Sequence, residues 1–313
     1  MTQYIIRRIL ILPVVMLGVS VLVFLVLHLV PGNPAQVIAG PDAPPETVAR
    51  IERELGLDKS LPEQYWRYIS RVGQGDLGQS LRSRRPVMDD ILDALPNTLQ
   101  LTLVAALITP LVAIPLGVIA AAKRGSWVDS TLMLVSMLGI TAPVFAVALG
   151  LMWVFGFKLD LLPISGYGGP FWTWEGFKSI LMPAITLSVL SIAATARLTR
   201  SAMLEVLSQE YIRTARAKGL ANSVVLMRHG LKNAMLPVVT VLGLQVAGLL
   251  SGAVVTETVF AWPGLGRLAV YAIDSRDFPV VQGTVLVISL IFVLVNLAVD
   301  LLYAFVDPRI HYS

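Results

Sequence analysis

The sequence predicts an all-α integral membrane protein with six transmembrane helices and both termini in the cytoplasm. Three observations predict it. Hydrophobic residues make up 56% of the 313-residue chain and charged residues only 14%, against about 25% charged in an average soluble domain. Six apolar stretches approach or exceed the roughly 20 residues that a helix needs to cross about 30 Å of hydrocarbon. The basic residues gather in alternate loops, which orients the crossings. Outer-membrane strands would alternate apolar and polar residues, whereas these stretches are apolar on every face. With no cysteine, a disulfide framework, zinc thiolates and a thiol nucleophile are excluded. The net charge of +4 does not by itself indicate nucleic acid in so apolar a chain.

The predicted spans cover residues 9–30, 98–122, 132–156, 180–196, 234–256 and 280–303, and only the last holds a charged residue, Asp300. The first follows Arg7 and Arg8. It exceeds a signal-peptide apolar core, and no small-x-small cleavage site follows it, so it is read as a retained anchor. Lys123 and Arg124 lie between spans two and three, and residues 197–233 carry seven basic against two acidic residues. By the positive-inside rule these loops and the amino terminus are cytoplasmic, and six crossings return the carboxyl terminus to the same side. The expected organisation is a tail and first span (1–30), an extracytoplasmic cap (31–97), a core of five spans (98–306) containing a cytoplasmic loop (197–233), and a tail (307–313).

The cap holds two helix-like patches, 46–55 and 63–72, separated by Gly56 and Pro62. It also contains GQGDLG, with glycines at 73, 75 and 78. No strand–turn–helix pattern surrounds it, so a turn-rich surface segment is expected rather than a dinucleotide site. The chain lacks GxxxxGK[ST], so any ATP dependence must come from a partner.

The loop 197–233 is far longer than two spans require. It reads as a helix to about Lys218, a stop at Gly219, and a second helix capped by Asn222 or Ser223. Its basic residues suit an anionic membrane surface. A short helix ended by glycine and carrying Ala215 and Ala217 also suits a groove on another protein.

EYIRTARAKGL at 210–220 and RHGLKNAMLPVVT at 228–240 resemble the coupling loop of permease subunits in ATP-binding-cassette importers of the dipeptide, oligopeptide and nickel group. Further matches are LVPGNP at 29–34, GDLGQS at 75–80, LPNTLQL at 95–101, VFAWPGLGRL at 259–268, RDFPVVQG at 276–283 and NLAVDLLYAFVDPRI at 296–310. RRPV at 84–87 and LKNAMLPVVT are similar to permeases of glutathione importers. The short tail, long outer loop and WPGLGRL segment resemble the first of two paired permeases. Where the general coupling motif has Glu-Ala-Ala, this chain has Arg213, Thr214 and Ala215, so the motif's glutamate is not carried over.

The resemblance implies a type I importer permease in the bacterial cytoplasmic (inner) membrane. It would form half a pore with a homologous second permease and carry no catalytic, cofactor or metal site. ATP and Mg would belong to two ATPase subunits, with the resemblance favouring two different proteins over two copies of one, which would receive Glu210, Tyr211, Arg213, Ala215, Arg216, Ala217, Lys218 and Gly219. An extracytoplasmic binding protein would deliver the substrate: a dipeptide, an oligopeptide or glutathione, with nickel chelates the nearest competitor. No nucleic acid is implied. A proton-coupled secondary transporter and a non-transporting scaffold are the readings outside the family.

Within the spans, Gln245, Gly248 and Gly252 recur at intervals of three and four residues and so share a helical face, with Ser251 and Thr256 beside them. Gln245, Ser251 and Thr256 are the candidate translocation pathway. Packing through small residues is the competing reading for the glycines. Pro110, Pro115, Pro143, Pro183 and Pro237 can each kink a span. Asn296 and Asp300 share a helical face near the inner end of the sixth span, and a structural polar pair is expected there rather than a proton relay. Glu257, Trp262, Arg267 and Asp277 form an outer gate, a docking surface for the binding protein or part of an interfacial belt, the last being the role expected of Trp153, Trp172 and Trp174. His28, His229 and His311 lie too far apart in the predicted topology to form a metal cluster.

Overall fold

Each apolar stretch is helical over its described residues, except that the third is interrupted at Ala142 and Pro143. In the computed structural model, which describes residues 2–29, 34–39 and 43–306, the elements are helical throughout: α1 (Thr2–Leu29), α2 (Pro34–Ala39), α3 (Pro45–Leu55), α4 (Leu61–Gly73), α5 (Val87–Ala122), α6 (Trp127–Thr141) and α7 (Val144–Leu151), which continues as a π-helical turn at Met152–Lys158. Then follow α8 (Trp174–Leu207), α9 (Glu210–Ala217), the single turn α10 (Asn222–Val224), a π-helical segment at Val225–Leu231, α11 (Lys232–Val259), α12 (Leu265–Asp274) and α13 (Phe278–Val306).

Helix α5, helix α8, the run from Asn222 to Val259, and α13 are each long and apolar enough to cross a membrane. Of the first predicted span, Leu10–Leu25 is apolar among the described residues. The third differs from expectation: α6 and α7 meet at a bend of 112°. Ala142 and Pro143 both take extended backbone angles (ψ 128° and 135°) between the helices. Proline disfavours the helical conformation in the residue before it, and here the chain leaves the helix at that residue.

The chain divides into two compact units, 1–97 with 264–313 and 98–263. In the first, the outer segment packs on α1, α12 and α13. Phe24 of α1, Tyr68 of α4 and Leu286 of α13 share one buried cluster, and Ser20 and Tyr65 hydroxyls are hydrogen-bonded at 2.8 Å. Burial pushes the Tyr68 phenol well above its ordinary range. Val87 and Ile91, at the start of α5, pack against Leu265, Ala272, Val280 and Val281. Both expected cap helices are present as α3 and α4, and Gly56 ends α3 at φ 71°.

In the second unit α8 is the central element, packed on α6, α7 and α11. Leu101 and Ala105 of α5, Ile180, Ala184 and Leu187 of α8, Leu249 and Ala253 of α11, and Trp262 form its main core. Close approach decides one glycine: a Cβ at Gly117 would lie 2.5 Å from Thr199 Cβ and 2.7 Å from the Ala196 carbonyl oxygen. That position brings the backbones of α5 and α8 into contact, the small-residue packing that membrane helices use in place of a hydrophobic driving force.

Candidate coupling and gate sites

The loop expected to run as one helix to Lys218 is broken ten residues earlier. Helix α8 ends at Leu207, where the Ser208 hydroxyl donates to the Glu205 carbonyl at 2.7 Å and Gln209 turns extended at ψ 151°. A serine hydroxyl that bonds a nearby carbonyl competes with the backbone ladder. The eight-residue helix α9 follows as a separate element. It buries Ile212 and Ala215 against Val225, and the Tyr211 hydroxyl accepts a hydrogen bond from Asn233 Nδ2 at 2.9 Å. Glu210, Tyr211, Arg213, Arg216, Ala217, Lys218 and Gly219 are exposed. Ala215 therefore faces inward, and its small size serves packing within the chain. An Arg213–Glu210 pair at 2.8 Å spans the outer face.

At the end of α9, the Gly219 amide donates to the Arg216 carbonyl at 2.9 Å and Gly219 adopts φ +75°. A Cβ there would meet nothing within 4 Å, so left-handed geometry rather than space requires glycine. The next helix is not capped as expected. Ala221 is its N-cap residue, no side chain caps it, and Asn222 lies inside the first turn.

The α11 residues do not share one environment. Gln245 is half-buried and its Oε1 accepts from the Thr195 hydroxyl at 3.0 Å. Ser251 is exposed, while Thr256 is fully buried. Gly252 lies close to Leu187, at 3.1 Å from its would-be Cβ, whereas Gly248 has open space. The helical spacing is present, but the residues along it differ in exposure, and Thr256 is enclosed within the chain.

The four outer residues separate likewise. In the second unit Glu257 is fully buried and its Oε1 accepts from the Thr98 hydroxyl at 2.6 Å. Trp262 is fully buried as well. Its amide donates to the Glu257 carbonyl at 2.8 Å, and its ring meets Tyr167 edge-on at 5.0 Å. Trp262 is thus a core residue and offers no docking surface; Ala261, at φ 52°, turns the chain just before it.

In the first unit Arg267 is exposed and Asp277 is buried. Asp277 accepts from the Ser80 hydroxyl at 2.6 Å and from the amides of Leu81 and Arg82 at 3.1 and 3.4 Å. GDLGQS and RDFPVVQG, two motifs far apart in sequence, meet in this anchor. The Gly75 and Gly78 turns within GQGDLG have φ 80° and 86°, and Asp76 accepts from the Gly78 amide at 2.8 Å. This is a surface turn with no strand beside it among the described residues. Replacing Asp277 by alanine removes all three bonds, so the basic loop Arg82–Arg85 should become cleavable by trypsin added to spheroplasts. Digestion at the parental rate would show that the loop is held by other means.

Trp153, Trp172 and Trp174 are exposed, and the ammonium groups of Lys158 and Lys178 lie 4.6 and 5.1 Å from the Trp153 and Trp174 ring centroids. This pairing suits an interfacial belt. Asn296 donates to the Phe292 carbonyl at 2.9 Å, and the Asp300 side chain lies outside the described residues. No metal-binding group of His, Asp or Glu occurs among the described residues.

Sequence reasoning missed Thr98, Thr195 and Ser80, each a hydroxyl that donates to a predicted site residue. It also missed Asp129 and Arg200, which form a bidentate pair with N–O distances of 2.6 and 2.7 Å. Spacing gave no signal, because all these partners are at least fifty residues apart.

Residues 113–312 match the family described as binding-protein-dependent transport system inner membrane component, and residues 1–102 match the N-terminal region of such components. The chain belongs to this family. Two relatives of this inner membrane component align over the full length of both chains. They are a dipeptide transport system permease protein, DppB, of Alkalihalophilus pseudofirmus at 42% identity and a glutathione transport system permease protein, GsiC, of Salmonella paratyphi A at 45%. The fold is shared with a solved structure of the MetNI methionine ABC transporter, at a TM-score of 0.57 and 20% identity over 70% of this chain and 97% of that one.

Proposed function

We propose that this inner membrane component is one of two homologous permease subunits of an ATP-driven importer that brings small peptides, glutathione among them, into the cell. The observation that carries the reading is the full-length likeness to permeases named for dipeptide and for glutathione transport. The chemistry of the chain agrees with a translocation subunit. Its charged α9 face is exposed on a short helix seated against α11's approach, which suits docking on ATPase subunits that supply ATP and Mg chemistry. Alternating access is then a rearrangement of packed helices, with no covalent step on this chain. An extracytoplasmic binding protein would present the peptide.

The test is uptake into liposomes that hold this chain with its second permease and ATPases, supplied with the binding protein. Labelled dialanine and labelled glutathione serve as probes. ATP-dependent accumulation of at least one is expected. Accumulation driven by a proton gradient without ATP, or of a nickel chelate alone, would overturn the peptide-importer reading.

A further inference from the structure

Helices α6 and α8 are fastened to each other at two levels. At one, the Asp129 carboxylate, 6% exposed, receives Arg200 Nε and Nη2 in a bidentate pair. The same carboxylate accepts the Gly125 amide at 3.0 Å, where φ of +77° turns the chain between α5 and α6. At the other, Gly139 of α6 packs closely against the side chains of Val189 and Ala193 on α8. A Cβ there would lie 3.2 Å from Ala193 Cβ and 3.4 Å from Val189 Cγ1. The contact order, rising along α6 and falling along α8, makes the pair antiparallel. Two separated contacts, one of them directional and charge-assisted, prevent both sliding and rotation.

The ends of this pair lead to the two places where the chain changes direction. Helix α8 continues past Arg200 to Leu207 and, after Ser208 and Gln209, into α9. The far end of α6 is the 112° bend at Ala142 and Pro143. A buried ion pair is weak evidence for stability, since two charges lose their hydration, and its best-attested use is to specify one arrangement.

We propose that Asp129 is a positioning residue. Through its pair with Arg200 it makes α6 and α8 move as one lever, which delivers ATPase-driven displacement of α9 to the bend before α7. The proposal rests on the reading of α9 as the ATPase contact.

The chain has no native cysteine, so Ser130→Cys with Ser201→Cys, both at exposed positions, can carry spin labels in the assembled importer. The label distance should be the same in the nucleotide-free and ATP–vanadate-trapped complexes. In the Asp129→Asn background it should differ between the two states. There, uptake per ATP hydrolysed should fall at least tenfold while hydrolysis continues, using dialanine or glutathione, whichever the parent imports. The exchanged pair D129R/R200D should recover coupling. A label distance that changes with nucleotide in the parent overturns the lever. So does a fixed distance in Asp129→Asn, or a loss of uptake and hydrolysis together with a lowered melting temperature of the complex, the mark of a structural role alone. Failure of the docking reading is distinguishable, because a photoreactive probe on the exposed face of α9 would then give no adduct with the ATPase subunits in the parent complex.

Discussion

Replacing Gly219 by valine is expected to reduce ATP-driven uptake by up to about 5- to 30-fold while the chain still inserts and assembles with its second permease. The size follows from the backbone. Gly219 sits at φ +75°, and holding a residue with a Cβ in the left-handed region costs roughly 1–2 kcal/mol, which lowers the ratio of the native turn to its alternatives by a factor of about 5 to 30 and bounds the loss. Space is not the reason within this chain, since a Cβ there meets nothing within 4 Å. Asparagine tolerates left-handed angles better than other residues with side chains, so Gly219→Asn should retain most uptake. If both variants transport normally, the turn after α9 has no part in coupling. If both fail equally, a partner surface that excludes any side chain is the cause, and the backbone argument is wrong.

Replacing Glu257 by alanine should have an effect at least as large, and of a different kind. The side chain is fully buried at the outer end of α11 and holds the Thr98 hydroxyl on α5 at 2.6 Å. Removing the acceptor breaks a buried hydrogen bond at a cost of roughly 1–3 kcal/mol, and the vacated volume adds a cavity term of order 1 kcal/mol or more. The assembled importer should melt several degrees lower and lose most of its uptake. Glu257→Gln keeps a carbonyl oxygen for Thr98 and should fall between the two. Thermal unfolding followed by size-exclusion chromatography in detergent separates these cases. Parental stability in the alanine variant would show that the turn leading to Trp262 is anchored elsewhere.

The spans were legible because hydropathy reports what a helix must be to sit in lipid, and residues apolar on every face leave little alternative. Where the helices end was less legible, because a helix does not stop where hydrocarbon stops. Residues 197–218 read as one helix of the cytoplasmic loop, yet 197–207 continue α8 and a break at Ser208 and Gln209 sets α9 apart. Arg200 was counted there as one of the cytoplasmic basic residues, although the buried Asp129 carboxylate neutralises it in the folded chain. The five prolines looked alike in sequence. Pro110, Pro115, Pro183 and Pro237 lie inside continuous helices, and only Pro143 follows a residue that has left the helix. Neighbouring helices can re-satisfy the groups that a proline frees, and that depends on tertiary contacts.

The α9 segment was the best-read part of the candidate sites, since short-range features define it: a glycine stop and a charged outer face. Its inward face was not. Ala215 and Ala217 are two apart and therefore point in different directions on a helix, but only the buried partner Val225 shows which one faces the chain. Glu257, Trp262, Arg267 and Asp277 were grouped because they are close in sequence. They belong to two units, and two of the side chains are tied to hydroxyls well over a hundred residues away.

Site-directed cross-linking from the exposed face of α9 tests the central claim most directly. With cysteine introduced at Ala217 in the otherwise cysteine-free chain and coupled to a short photoreactive probe, the native complex should give an adduct with an ATPase subunit, whose yield changes when ATP is trapped. A complex that keeps its ATPases but yields no such adduct, while probes elsewhere on the cytoplasmic side do, would contradict α9 as the coupling element.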